Sequence, residues 1–196
     1  MFTLRKEDGP ADLTGVTKMG VGVSWDASSG ASGGVLGRLK KAKGVDLDLI
    51  AVVMAGDQPV RLAGLDSLDP LQNGAIVHTG DNQTGKGSGD DELVEVDFAK
   101  TNGTPATAVV FLAAAFKKGT DFSKARNVSF KVYDATGGSS TQVADIWPSL
   151  LGNHNVNAVA KATRQGDGSW QLEVLNVPGT IRQGDEQSLL RYAIGK

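Results

Sequence analysis

Cysteine is absent from the 196-residue chain, and that absence removes disulfide scaffolding, thiolate nucleophiles and zinc–thiolate centres together. Histidine is scarce, with only His78 and His154, and no Ser-His-Asp order emerges around either. Aromatic residues make up 6% of the chain and the formal net charge is −2, so no global field exists to recruit nucleic acid. No long apolar run occurs. The longest, Ala106 to Phe116 with Thr107 interrupting it, falls far short of the roughly 20 residues of a membrane-spanning helix. The N-terminus shows no apolar core of signal-peptide length. These absences lead us to expect a cytoplasmic protein that neither spans a membrane nor binds nucleic acid, folded as one domain over residues 1–196.

Glycine, by contrast, is plentiful, and the acidity is local. The stretch from His78 to Glu92 holds Asp81, Asp90, Asp91 and Glu92, with Gly80, Gly85, Gly87 and Gly89 and only Lys86 to offset them. Glycine lets a backbone take positive φ and turn its carbonyls inward. Carboxylates beside inward carbonyls are the oxygen shell that a hard cation such as Ca2+ requires. Without a counter-charge, the clustered carboxylates would repel one another.

Three other readings of this loop compete with a cation site. Gly80-x-x-x-x-Gly85-Lys86-Gly87 approaches a phosphate-binding P-loop, but Gly87 stands where a Ser or Thr would hold Mg2+, and a strand pattern, Leu93 to Phe98, follows instead of a helix. Asp81 and Glu92 bracket a twelve-residue EF-hand window, yet its sixth place is Lys86 and no helices flank it. The plainest reading is a solvated polar hairpin loop, since Gly, Asn and Asp favour turns in any case.

A second acidic feature favours a cation. Val45 to Met54 reads as a strand leading into an apolar run, with Asp46 and Asp48 on one face about 7 Å apart. Ile50, Val52 and Met54 continue that face as core, so two carboxylates stand at its mouth unless the strand end simply emerges into water. Asp26, a third candidate metal ligand, ends the alternating run Met19, Val21, Val23, Trp25 on the opposite parity, where the alternative is only a turn residue.

Gly22-Val23-Ser24-Trp25-Asp26, Val45-Asp46-Leu47-Asp48-Leu49 and the string from His78 to Glu92 resemble, in order and spacing, the signature segments of the TerD family of tellurite-resistance and stress-response proteins. The resemblance covers the chain from about Val16 onward. It implies a β-sandwich that binds Ca2+, usually as a close pair of ions. By position it implies side-chain ligands from Asp46, Asp48, Asp81, Asn82, Asp90, Asp91 and Glu92, with Gly85, Gly87 and Gly89 supplying carbonyls or the turns that permit them. The partners it implies are other proteins of a stress-response or tellurite-resistance assembly. The chain departs from the family pattern at Gly44, where many members carry another aspartate, in its opening residues, and in the segment Ala27 to Lys43. The basic run Arg38 to Lys43 reads either as a contact surface for a partner or an anionic membrane, or as a solvated connector, the reading we favour.

The remaining pattern is mainly β. Val94, Val96 and Phe98, then Val128, Phe130 and Val132, then Trp170, Leu172 and Val174 alternate with polar residues as half-exposed strands. Ala108 to Phe116 is apolar on both faces and should lie centrally between layers. Gly137-Gly138 and Gly166-Asp167-Gly168 punctuate hairpins, Asp121 to Arg126 suggests a short helical turn, and Asp185 to Ala193 a closing helix. Trp147 is read as capping an edge. The expected fold is a two-sheet β-sandwich with a few short helices, one near the C-terminus. The expected function is a non-catalytic, cation-ordered interaction module. The competing reading is a metal-dependent phosphoester hydrolase in which His78 acts as general base. In the favoured reading His78 only fixes the loop by hydrogen bonding.

Overall fold

The structure is a computed structural model that describes residues 2–27, 46–80, 90–148 and 152–196. Two six-stranded sheets pack face to face. The strands are β1 (Phe2–Thr3), β2 (Ala11–Asp12), β3 (Lys18–Ala27), β4 (Asp48–Ala55), β5 (Gln58–Ala63), β6 (Ile76–His78), β7 (Glu92–Asp97), β8 (Ala108–Ala114), β9 (Ala125–Asp134), β10 (Thr141–Ile146), β11 (Val156–Arg164) and β12 (Trp170–Gly179), followed by helix α1 (Glu186–Ala193). The first sheet runs β1-β10-β9-β3-β7-β6 and the second β2-β12-β11-β8-β4-β5. Pairing is antiparallel except between β1 and β10. The expected sandwich and terminal helix are both present.

The two sheets differ in how they are covered. In the first, alternation dictates one buried face: Met19, Val21, Val23 and Trp25 of β3, Val94 and Val96 of β7, and Phe130 and Val132 of β9 all point into the sandwich. The second sheet is buried on both sides. Every residue of β8 is buried, as its unbroken apolar run requires. Leu49, Ala51 and Val53 of β4 face the sandwich, whereas Ile50, Val52 and Met54 join Val110, Leu112, Leu189 and Ala193 in a second core beneath α1. The face that begins with Asp46 and Asp48 therefore runs under the helix and not between the sheets.

Helix α1 is fixed at both ends. Asp185 caps it by accepting from the Gln187 amide at 3.1 Å, which satisfies an otherwise unpaired N–H. At the other end Tyr192 donates its hydroxyl to the Val177 carbonyl at 2.6 Å, and its ring lies where β12 has no side chain. A Cβ on Gly179 would stand 2.5 Å from the Tyr192 ring. Gly179→Ala is therefore expected to lever the helix off the sheet and lower unfolding stability by roughly 1–3 kcal/mol. Urea denaturation showing no change would refute that packing argument.

Among the described residues no helix is long and apolar enough to cross a membrane. Trp25 and Trp170 are core residues, Trp170 stacking on Phe98 with centroids 4.8 Å apart. Trp147 stands 59% exposed beyond β10. The short turn expected near Asp121 is a 3-10 turn at Phe122–Lys124, capped by the Asp121 side chain.

Candidate metal centre

The site begins where β6 and β7 pair, His78 lying opposite Val94. Glu92 occupies the first inward position of β7, ahead of Val94 and Val96. Its carboxylate is thus delivered to the interior, with the residue only 3% exposed. A buried carboxylate costs free energy unless hydrogen-bonded, and Glu92 is met from two directions. The Leu49 amide donates to Oε2 at 2.6 Å from the opposite sheet. The pairing of β4 with β5 reaches only Ala51, so the Leu49 amide lies beyond that ladder and takes a side-chain acceptor instead. The second contact is His78 Nε2, 3.3 Å from the same oxygen. His78 Nδ1 accepts from the Gly80 amide at 3.1 Å, which leaves Nε2 to carry the proton toward Glu92. The imidazole therefore ties the start of the acidic loop to a carboxylate that itself bridges the two sheets.

Beside this bridge opens a cleft of about 480 Å3. Asp46 and Asp48 reach it from the start of β4, and Asp48 Oδ2 accepts from the Phe116 amide at 3.2 Å. Asp66 arrives from the turn after β5 and Glu186 from the first turn of α1. With Glu92 that makes five carboxylates from five separate chain positions, against Lys117 as the cationic residue in the lining. Leu65 and Phe116 provide apolar wall. His78 also lines the cleft, but both its ring nitrogens are engaged, and a lining dominated by carboxylate oxygens with no sulfur donor suits a hard cation of the Ca2+ kind. Among the described residues, no three His, Asp or Glu side chains stand close enough to hold a metal ion by themselves.

The other sequence candidates fall in different places. Asp91 Oδ2 accepts from the Trp25 amide at 3.1 Å, continuing the β3–β7 edge. Asp90 turns to the outer face of the first sheet, onto Lys131 and Tyr133. Burial, and then the Asp90 carboxylate to which it donates, push the Tyr133 phenol above its usual range. Asp26 lies in β3 opposite Arg126 in the backbone register. Asp81, Asn82, Gly85, Gly87 and Gly89 lie outside the described residues, as do Gly44 and the basic run Arg38 to Lys43. Asp66 and Glu186 carry no signal in the sequence that would single them out. An acidic residue in a helix's first turn usually complements the helix dipole, and only the packing of α1 on β4 and β5 brings Glu186 to the cleft.

Comparison with known proteins agrees with this architecture. Over 170 residues the chain is 29% identical to the tellurium resistance protein TerZ of Serratia marcescens, covering 84% of this chain and 81% of that protein. It is 31% identical over 133 residues to the stress response protein SCP2 of Bacillus subtilis (strain 168), covering 63% of this chain and 66% of that protein. Among solved structures, a protein of unknown function superposes with a TM-score of 0.69 at 20% identity, over 93% of this chain and 99% of that one. A homologue of the telluride resistance protein TerD from Streptomyces coelicolor A3(2) superposes with a TM-score of 0.64 at 19% identity, over 92% of this chain and 97% of that one. These two likenesses establish the shared fold. The TerD domain profile matches residues 6–175, a span that takes in both acidic segments and the strands from β2 to most of β12, and the chain belongs to the TerD family.

Proposed function

We infer that the chain is a Ca2+-binding, non-catalytic interaction protein of tellurite resistance or stress response, the settings named for its relatives. The observation that carries this reading is that Asp46, Asp48, Asp66, Glu92 and Glu186 all line one cleft together with Lys117. A bound cation would supply the charge that lets these carboxylates lie together. Asp46 and Asp48 would hold it from β4, with Asp81, Asn82, Asp91 and the loop glycines as the further ligands that family membership suggests, enough for two ions. Binding that favours one arrangement of the acidic loop shifts the population toward it, and the ordered surface is then what a partner reads. The proposed partners are other proteins of a tellurite-resistance or stress-response assembly, and the proposed compartment is the cytoplasm.

The non-catalytic part rests on the same residues. Both ring nitrogens of His78 are engaged, by Gly80 and by Glu92, so a general base at this position would first have to give up the contact that anchors the loop.

Calorimetric titration of chelator-treated protein with Ca2+, and with Mg2+ as control, tests the reading. Saturable Ca2+ binding and a melting temperature that rises with Ca2+ concentration are expected, since a ligand that binds only the folded state stabilises it by mass action. No heat and no thermal shift at millimolar Ca2+ would refute it.

A further inference from the structure

Three consecutive carboxylates leave the acidic loop in three directions, and the first of them does not face the cleft. Glu92 enters the interior. Asp91 stays on the sheet edge, its amide donating to the Val23 carbonyl at 2.7 Å while its carboxylate takes the Trp25 amide. Asp90 crosses to the outer face of the first sheet. There Oδ1 accepts from Lys131 Nζ at 2.8 Å and Oδ2 from the Tyr133 hydroxyl at 2.5 Å.

This seat is built into two strands that contribute nothing to the cleft lining. Lys131 and Tyr133 are alternate residues of β9 and so share one face. In the β3–β9 register Gly22 lies opposite Lys131 and Gly20 opposite Tyr133, so β3 presents bare backbone beneath both side chains. A Cβ on Gly22 would stand 2.1 Å from Asp90 Oδ2 and 2.5 Å from its Cγ. The Asp90 carboxylate thus fills a notch that any larger residue at position 22 would close. It is well covered there, with its side chain 11% exposed and that of Lys131 23%. Charge-assisted contacts under partial burial are the strong ones, and an ammonium so close weakens the attraction of that carboxylate for a second cation.

We propose that Asp90 is a positioning residue and not a cation ligand: clamped by Lys131 and Tyr133 over the Gly22 notch, it fixes where the chain enters β7 and so sets Asp91 and Glu92 in register. This deepens the Ca2+ reading above and rests on it for the affinity arm of the test. Lys131 and Tyr133 become part of the site's support at a distance from the cleft. Groups hydrogen-bonded directly to metal ligands are worth roughly 10- to 100-fold in affinity, and a support one residue further out is expected at the low end, about tenfold.

The experiment compares the full chain with Lys131→Met, Lys131→Arg, Asp90→Asn and the double variant Lys131→Met/Asp90→Asn. Ca2+ affinity is read by calorimetry and the melting temperature in chelator. Lys131→Met is expected to weaken Ca2+ binding roughly tenfold, Lys131→Arg to restore most of it, and the double variant to be no weaker than either single one. Leu172→Ala, a buried substitution on β12 outside the clamp and the cleft, should lower the melting temperature and leave Ca2+ affinity unchanged, separating positioning from general destabilisation. The opposite pattern, tighter Ca2+ binding in Lys131→Met with binding abolished in Asp90→Asn, would make Asp90 a ligand and Lys131 its competitor, and would overturn the proposal. Should the unmodified chain bind no Ca2+, the functional reading fails, and the chelator melts still decide on the clamp. Melting-temperature losses that do not add in the double variant support it, whereas losses that add sink it.

Discussion

Glu92→Ala is expected to cost the fold roughly 3–5 kcal/mol, since two buried donors would each be left without their acceptor at about 1–3 kcal/mol apiece. The Leu49 amide would lose its 2.6 Å acceptor and His78 would lose the carboxylate facing Nε2. A cavity at the first inward position of β7 would add to the loss. The effect should exceed that of an ordinary surface substitution severalfold, because Glu92 joins β7 of one sheet to β4 of the other from a position closed to water. Glu92→Gln keeps an oxygen for Leu49 but surrenders the charge, so an intermediate loss of about 1–3 kcal/mol is expected. Urea unfolding measures both, and amide exchange at Leu49 gives an independent local reading. A loss under about 1 kcal/mol for the alanine variant, within the range of a dispensable neutral hydrogen bond, would show that the bridge does not hold the sheets together.

The double variant Asp46→Asn/Asp48→Asn is expected to change sign with the medium. In chelator it should melt at or above the temperature of the unmodified chain. Two like charges leave a cleft that also holds Asp66, Glu92 and Glu186, and an asparagine oxygen at position 48 can still accept from the Phe116 amide. In saturating Ca2+ the order should reverse. Removing two charged ligands from a hard-cation site is expected to weaken binding on the order of a hundredfold, about 2.8 kcal/mol at 1.4 kcal/mol per decade. The Ca2+-dependent rise in melting temperature should shrink accordingly. Unchanged Ca2+ affinity would mean that the cation sits elsewhere and that the cleft is only an acidic surface.

How far the sequence disclosed this arrangement depended on whether a feature is local. The period-two alternation of β3, β7, β9 and β12 and the doubly apolar run of β8 are local, and each became the strand it described. The closing helix was equally readable over Asp185 to Ala193, with Asp185 turning out to be its cap. The sharing of one cleft by Asp46 and Asp48 followed from their spacing. Direction was harder. Asp90, Asp91 and Glu92 look equivalent as a string of acids, but the ladder turns them outward, along the edge and inward, because Gly22 leaves a notch for one and Val23 sets the register of another. Asp66 and Glu186 carry no local mark at all. Both owe their role to β5 and α1 packing against β4, a fact of tertiary structure. The short strands β1 and β2 were missed for a related reason, since two residues are too few to show a period.

The attachment of those two strands has a consequence for the order in which the molecule can be completed during synthesis. β1 pairs with β10, Phe2 opposite Ala144, and β2 pairs with β12, Asp12 opposite Gln171. Residues 2–12 therefore find their partners only after well over a hundred further residues have been made, an interval on the order of ten seconds at typical elongation rates. The central β3–β9 pairing spans a similarly long separation, as the contact of Ser24 with Ser129 shows. Closure of both sheets waits on these distant pairings, and folding is set by non-local contacts, which makes it slow. While they wait, residues 2–12 stay safe by their chemistry: Arg5, Lys6, Glu7 and Asp8 separate two strands of only two residues each, too short and too charged to template the edge pairing of a neighbouring nascent chain.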